Sequence, residues 1–228
     1  MDKIEQKISK IKHDIKNAEK EFNRKKNSVM LLAVSKTQSA QNILEAYEAG
    51  QRDFGENYIQ ESVEKIKELK NFDITWHFIG KIQSNKAKYI AENYDWIHSI
   101  DKISTLRKIN NYRKENQKKL NVCVQVNIDS EETKSGILVS EVEKFIKEAN
   151  EFNKLKIRGL MAIPKYHPDF SNQYKTFAKI KDLFDSLIKR SYELDTLSIG
   201  MSSDYNAAIA AGSTIVRIGT SIFGERKK

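Results

Sequence analysis

The sequence is short of nearly everything that interrupts or crosslinks a chain. Its 228 residues include only two prolines and no glycine- or serine-rich stretch that could serve as a linker. That leaves no domain boundary to draw, and the length fits one larger domain over residues 1–228. Cysteine occurs once, at Cys123, so no internal disulfide can form. Its neighbours Val122 and Val124 are apolar, which predicts a buried structural thiol in a reducing cytoplasm. Long hydrophobic runs are missing too: none approaches the roughly 18 residues of a membrane span. The opening MDKIEQKISKIKHDIKNAEKEF alternates charge too densely for a secretory signal, so a cytoplasmic protein without membrane contact is expected. His13, His77, His98 and His167 are far apart and lack the spacing of metal ligands, so no metal site is expected.

What is present is a globular composition, 39% hydrophobic and 31% charged, with a net charge of +9. Such a charge raises nucleic acid as a partner. The lysines, however, are scattered among 31 acidic residues, and none cluster with exposed aromatics at the spacing of an RNA-binding strand. A basic barrel that binds nucleic acid or a partner therefore stays a minor alternative.

Ile4, Ile8, Ile11, Ile15, Ala18 and Phe22 fall at intervals of four and three, which predicts an amphipathic helix within residues 1–26 that docks on the rest of the chain. Short apolar runs then alternate with helical patterns. The predicted strands are Met30–Val34, Asp53–Phe54, Thr75–Ile79, Trp96–Ile100, Val122–Ile128, Ile157–Ile163, Thr196–Ile199 and Thr214–Ile218. Eight strands, each followed by a helix, give the α/β class and a single (β/α)8 TIM-type barrel with an extra N-terminal amphipathic helix. A doubly wound sheet would show a glycine-rich turn after the first strand, and none is there.

Polar residues gather where those strands end, on the face where such barrels keep their chemistry. The run Val29–Val34 delivers Lys36 between Ser35 and Thr37. A lysine desolvated at the mouth of an apolar strand can act as an amine nucleophile toward a carbonyl. The loops after the seventh and eighth strands carry Gly200-Met201-Ser202-Ser203 and Gly219-Thr220-Ser221, where backbone amides can meet an anion. Ser202 or Ser203 is expected to cap the helix that runs to Ala211 and closes at Gly212, and Gly219 to allow close backbone approach. Arg217 lies inside an apolar strand, where a guanidinium needs a fixed acceptor. A Schiff-base lysine, an anion nest and a buried arginine together point to pyridoxal 5′-phosphate. His77, in the third strand, fits a satisfied core position or a wall of that pocket equally well.

The segments AVSKTQ (33–38), FGENYIQE (54–61), WHFIGKIQSNK (76–86), IHSIDK (97–102), IRGLMAIP (157–164) and LSIGMSSDYNAAIAAGSTIVRIGTSIFGER (197–226) resemble the pyridoxal phosphate homeostasis protein family over nearly the whole chain. The resemblance implies the fold of the alanine racemase N-terminal barrel. It also implies that Lys36 carries the aldimine and Asn57 lies beside the ring. Ser202, Gly219 and Thr220 would hold the phosphate, with Met201 contributing its backbone and side chain, and Arg217 would face the pyridine nitrogen. Lys81 after Gly80, and Tyr205-Asn206 after Asp204, depart from the family pattern at positions outside these contacts.

Arginine stays protonated and donates, which keeps the pyridine nitrogen unprotonated and makes the ring a poorer electron sink. The sequence ends eight residues after Thr220, so no second domain supplying an opposite acid or base is expected, and a monomer is the expected state. Together these features predict a non-enzymatic protein of vitamin B6 homeostasis that holds the cofactor on Lys36 and exchanges it with pyridoxal-phosphate-dependent apo-enzymes. A racemase-like enzyme is the main alternative.

Overall fold

The computed structural model describes residues 3–129 and 134–225. Its strands are β1 (Met30–Val34), β2 (Asp53–Glu56), β3 (Thr75–Phe78), β4 (Trp96–Ile100), β5 (Leu120–Asn127), β6 (Ile137–Leu138), β7 (Leu155–Met161), β8 (Thr196–Met201) and β9 (Ile215–Ile218). All pairings are parallel, and eight of these strands close a ring in the order β1-β2-β3-β4-β5-β7-β8-β9, with β9 returning to β1. This is the (β/α)8 barrel, and a closed parallel ring leaves no strand edge exposed. The short β6 pairs only with β5, through Val126↔Ile137, and stands outside the ring. Two residues ahead of a helical turn carry too little pattern to predict it.

The helices are α1 (Ile4–Glu21), α2 (Ala40–Glu48), α3 (Ile59–Glu68), α4 (Ala87–Asn93), α5 (Ile103–Tyr112), α6 (Val142–Ala149), α7 (Phe170–Lys189), α8 (Tyr205–Ala211) and α9 (Thr220–Phe223). In α1 the expected stripe is the buried one: Ile8, Ile11, Ile15 and Ala18 pack against α2, α8 and α9. Burial of each isoleucine is worth about 1.5–3 kcal/mol, enough to hold an otherwise highly charged helix on the barrel. The turn into β1 is fixed by Glu19, whose carboxylate accepts from the Asn27 N–H at 3.0 Å and the Val29 N–H at 2.8 Å. Among the described residues, no helix is long and apolar enough to cross a membrane.

Several strands extend past their apolar runs. The second continues through Gly55 and Glu56, and the seventh expected run through Gly200 and Met201. A ring strand is held by ladder bonds to both neighbours, so it tolerates a glycine or a charge that an isolated pattern would read as a stop. Glu56, inside β2, is met at Oε1 by Ser35 from the end of β1 and by Lys65 from α3, while among the described residues its buried Oε2 has no hydrogen-bond partner.

Candidate functional site

Lys36 stands two residues beyond β1 on a loop pinned from both sides. Ser35 N–H donates to the Gly55 carbonyl at 2.9 Å, and the Ser35 hydroxyl donates to Glu56 Oε1 at 2.6 Å. Lys65, on α3, donates to the Ser35 carbonyl at 2.9 Å and pairs with Glu56 at 3.0 Å and with Glu61. On the far side Thr37 adopts a left-handed φ of 64°, rare for a β-branched residue, and its N–H donates to Glu61 Oε1 at 2.7 Å. Burial raises the Glu56 carboxyl above its ordinary range, while Lys65 and Ser35 pull it back. This clamp of Glu56, Glu61 and Lys65 holds the backbone that presents Lys36. Only the spacing of Glu61 and Lys65, four apart on a helix, hinted at it in the sequence.

Next to β1 in the ring, on the side away from β2, lie the ends of β9 and β8, where Met201 pairs with Arg217. Gly200 has φ 92°, and a Cβ there would come within 2.6 Å of the Ala208 Cβ, so only glycine turns the chain here without strain. The residue at the helix start is Asp204, not Ser202 or Ser203 as expected: its carboxylate turns back to accept from the Met201 N–H at 2.6 Å, and α8 begins at Tyr205. A carboxylate reaches back across the turn more strongly than a hydroxyl, and this leaves both serines on the cavity. Burial raises the Asp204 carboxyl, against the pull of the Met201 N–H and of Arg217. Gly219 sits so close to β1 that a Cβ would lie 3.2 Å from the Val34 carbonyl oxygen. Thr220 and Ser221 open α9, and as its first two residues their own amides have no intrahelical acceptor, whereas those of Ile222 and Phe223 donate to the Gly219 carbonyl.

Arg217 is buried with its guanidinium anchored: Nη1 donates to the Ser198 carbonyl and, at 2.8 Å, to the Ser198 hydroxyl, and Nη2 donates to the Ala162 carbonyl at 3.0 Å. Burial lowers it to about 10, so it is a cation at neutral pH. Among the described residues three of its five N–H groups find acceptors, which leaves two on a side chain that borders the cavity.

These elements enclose a cavity of about 510 Å³. Lys36, Asn57, Met201, Ser202, Arg217, Gly219 and Thr220 all line it, with Lys36 and Asn57 on the β1–β2 side and the others on the β8–β9 side. Ser203 and Ser221, from the two expected anion loops, line it as well, as do Gln38, Ile79, Ile163 and Phe223, which were not singled out by pattern. Among the described residues, the buried Asn57 Oδ1 has no hydrogen-bond partner, and Asn57 lines the hollow. His77 does not line the cavity. It is a buried interior residue, and its Nδ1 lies 2.9 Å from His98 Nε2, so two histidines that are distant in sequence meet in the barrel. Among the described residues, no three His, Cys, Asp or Glu side chains come together as a metal site.

Residues 7–227 match the family described as "Alanine racemase, N-terminal domain". The chain is 43% identical over 229 residues to the pyridoxal phosphate homeostasis protein of Escherichia coli strain K12, covering 99% of this chain and 98% of that one. It is 45% identical over 230 residues to the protein of the same name from Vibrio alginolyticus, covering 99% of each. Among solved structures, PipY of Synechococcus elongatus PCC7942 with PLP bound superposes with a TM-score of 0.84 at 33% identity, over 97% of this chain and 100% of that one.

Proposed function

The chain belongs to the alanine racemase N-terminal domain family and, by full-length identity, to the pyridoxal phosphate homeostasis proteins, and from that membership we propose that it holds pyridoxal 5′-phosphate as an aldimine on Lys36 and passes it on without catalytic turnover. The observation that carries this is the composition of one cavity: a single lysine on one wall, hydroxyls and glycine backbone on the other, and a fixed arginine between. The residues fit the group. The unpaired amide of Asn57 offers a polar contact beside the ring, and Arg217 has N–H groups left over to donate to a ring nitrogen. Ser202, Gly219 and Thr220, with the Met201 backbone, would grip the phosphate.

Pyridoxal phosphate supplies an aldehyde that condenses reversibly with an amine. The chain's own residues present that amine, fix the ring edge and hold the anion. Arg217, cationic and locked to backbone carbonyls, cannot take a proton from the ring and cannot give one up near neutrality. Besides Lys36 and Arg217, the described residues lining the cavity include no carboxylate, imidazole, phenol or thiol that could serve as a second acid or base. That composition supports a carrier over a racemase-like enzyme, with transfer to apo-enzymes by exchange of amines. A cytoplasmic, monomeric protein fits this role.

The test is the visible spectrum after loading. A band at about 420 nm, of the kind expected for a lysine-linked cofactor, should appear in the wild type and vanish in Lys36→Ala. Loaded protein should turn over D- and L-alanine no faster than free cofactor. Turnover well above that level would favour the racemase-like alternative. Salt-sensitive RNA binding that survives Lys36→Ala would favour the basic barrel.

A further inference from the structure

A line of polar side chains runs through the barrel interior, starting at Arg217. Its Nη1 donates to Ser198 Oγ at 2.8 Å, and Ser198 Oγ lies 2.9 Å from His98 Nδ1. His98 Nε2 is 2.9 Å from His77 Nδ1, and His77 Nε2 is 3.1 Å from Asp53 Oδ1. Ser198, His98 and His77 are fully buried. Asp53 opens β2, whereas Arg217 is near the close of β9, so the line crosses from the rim that carries Lys36 to the other end of the barrel. There Asp53 borders a second hollow of about 300 Å³, together with Lys12, Lys16 and Arg52.

Hydrogen-bond chemistry gives this line one direction. Arginine has no acceptor, so Ser198 Oγ receives its N–H. The Ser198 proton then has one acceptor within reach, His98 Nδ1. Burial, with the Arg217 charge adding to it, holds His98 well below its ordinary value, so the ring is neutral, and with Nδ1 accepting from Ser198 its proton sits on Nε2. That proton points to His77 Nδ1, which places the His77 proton on Nε2, facing the Asp53 carboxylate. The Trp96 ring stacks on His77 at 5.5 Å and 7° and fixes its plane. Barrel interiors are ordinarily filled by branched apolar side chains, and a buried polar chain is tolerable only when every link is satisfied. Each link here is satisfied only because the next one is.

We infer that Asp53 is a positioning residue for Arg217, acting through His77, His98 and Ser198, so that the hollow at the far end of the barrel is coupled to the cavity that holds the cofactor. The coupling rests on the assignment of that cavity to pyridoxal phosphate, whereas the direction of the chain does not. An anion terminates the line at one end and a cation at the other, and neither can reverse it. The guanidinium is thereby held with its remaining N–H groups toward the cavity.

Histidine-ring 15N correlation spectra of the unloaded protein read the direction. Both His77 and His98 should be neutral and protonated at Nε2; an Nδ1–H tautomer or an imidazolium at either overturns the chain. Adding pyridoxal phosphate should move the His98 ring resonances, and inorganic phosphate alone should not. Asp53→Ala should release the cofactor about threefold to tenfold faster than the wild type, with Asp53→Asn, which keeps an acceptor, closer to wild type. Wild-type protein that takes up no pyridoxal phosphate would overturn the cavity assignment and the coupling with it. Uptake with unmoved His98 resonances, or with unchanged release from Asp53→Ala, would overturn the coupling alone.

Discussion

Gly80→Ala probes the placement of Asn57 without replacing it. A Cβ on Gly80 would stand 2.2 Å from the Asn57 carbonyl oxygen and 2.8 Å from its Cα. A carbon normally approaches a carbonyl oxygen no closer than about 3.3 Å, so the two backbones must part by about 1.1 Å. Neither can yield freely. The Gly80 carbonyl accepts from the buried Ser99 hydroxyl, and Asn57 directly follows β2, whose Glu56 carbonyl accepts from Ile79 N–H at 2.9 Å. Forcing an extra carbon into such a contact costs about 1–3 kcal/mol, which for a chain of this size lowers Tm by about 2–12 °C. The displaced amide would also lose the contact to the ring proposed for it, worth about 1 kcal/mol, or about fivefold in cofactor retention. Thermal unfolding of unloaded protein and equilibrium dialysis against pyridoxal phosphate separate the two effects, with Asn57→Ala as the control that should lose retention only. An unchanged Tm would refute the steric reasoning. A lowered Tm with wild-type retention would remove Asn57 from the grip.

Three further outcomes concern buried groups. Burial raises the Glu56 carboxyl, so across that interval the folded chain binds a proton the unfolded chain has lost, and stability from this group falls as pH rises from about 4 through the raised folded value. Denaturant midpoints of Glu56→Gln should show a flatter pH dependence than the wild type; an identical slope would contradict the assignment. Glu19→Ala strips the acceptor from two backbone N–H groups at the entry to β1, which should cost about 2–4 kcal/mol in chemical denaturation, and a loss under about 0.5 kcal/mol, the range of neutral surface changes, would count against the cap. Burial pushes the Cys123 thiol up to about 12, so the native protein should resist thiol reagents until it unfolds, and rapid labelling of folded protein would contradict this.

Much of the fold was legible because a closed parallel ring repeats one pattern. The β1 and β4 boundaries match the apolar runs Met30–Val34 and Trp96–Ile100 because every residue from Leu31 to Val34, and all of β4, is buried. Lys36 and Arg217 stood out for the same reason, as charges next to or inside such runs. What stayed hidden depends on contacts through space. The Asp204 turn is set by a carboxylate that bends backward, and the Glu56–Lys65 clamp joins a strand to a helix. The His98–Ser198 contact spans 100 positions and follows no period in the chain. Histidines spaced 21 apart look isolated until two neighbouring strands bring their rings within hydrogen-bond distance.

Covalent attachment at one lysine is the claim on which the function stands, and reductive trapping tests it most directly. Protein loaded with pyridoxal phosphate, reduced with borohydride and digested should carry the added mass on the peptide containing Lys36, and Lys36→Ala should carry none there or elsewhere in comparable yield. Equal labelling of several surface lysines, or undiminished labelling of Lys36→Ala, would contradict it.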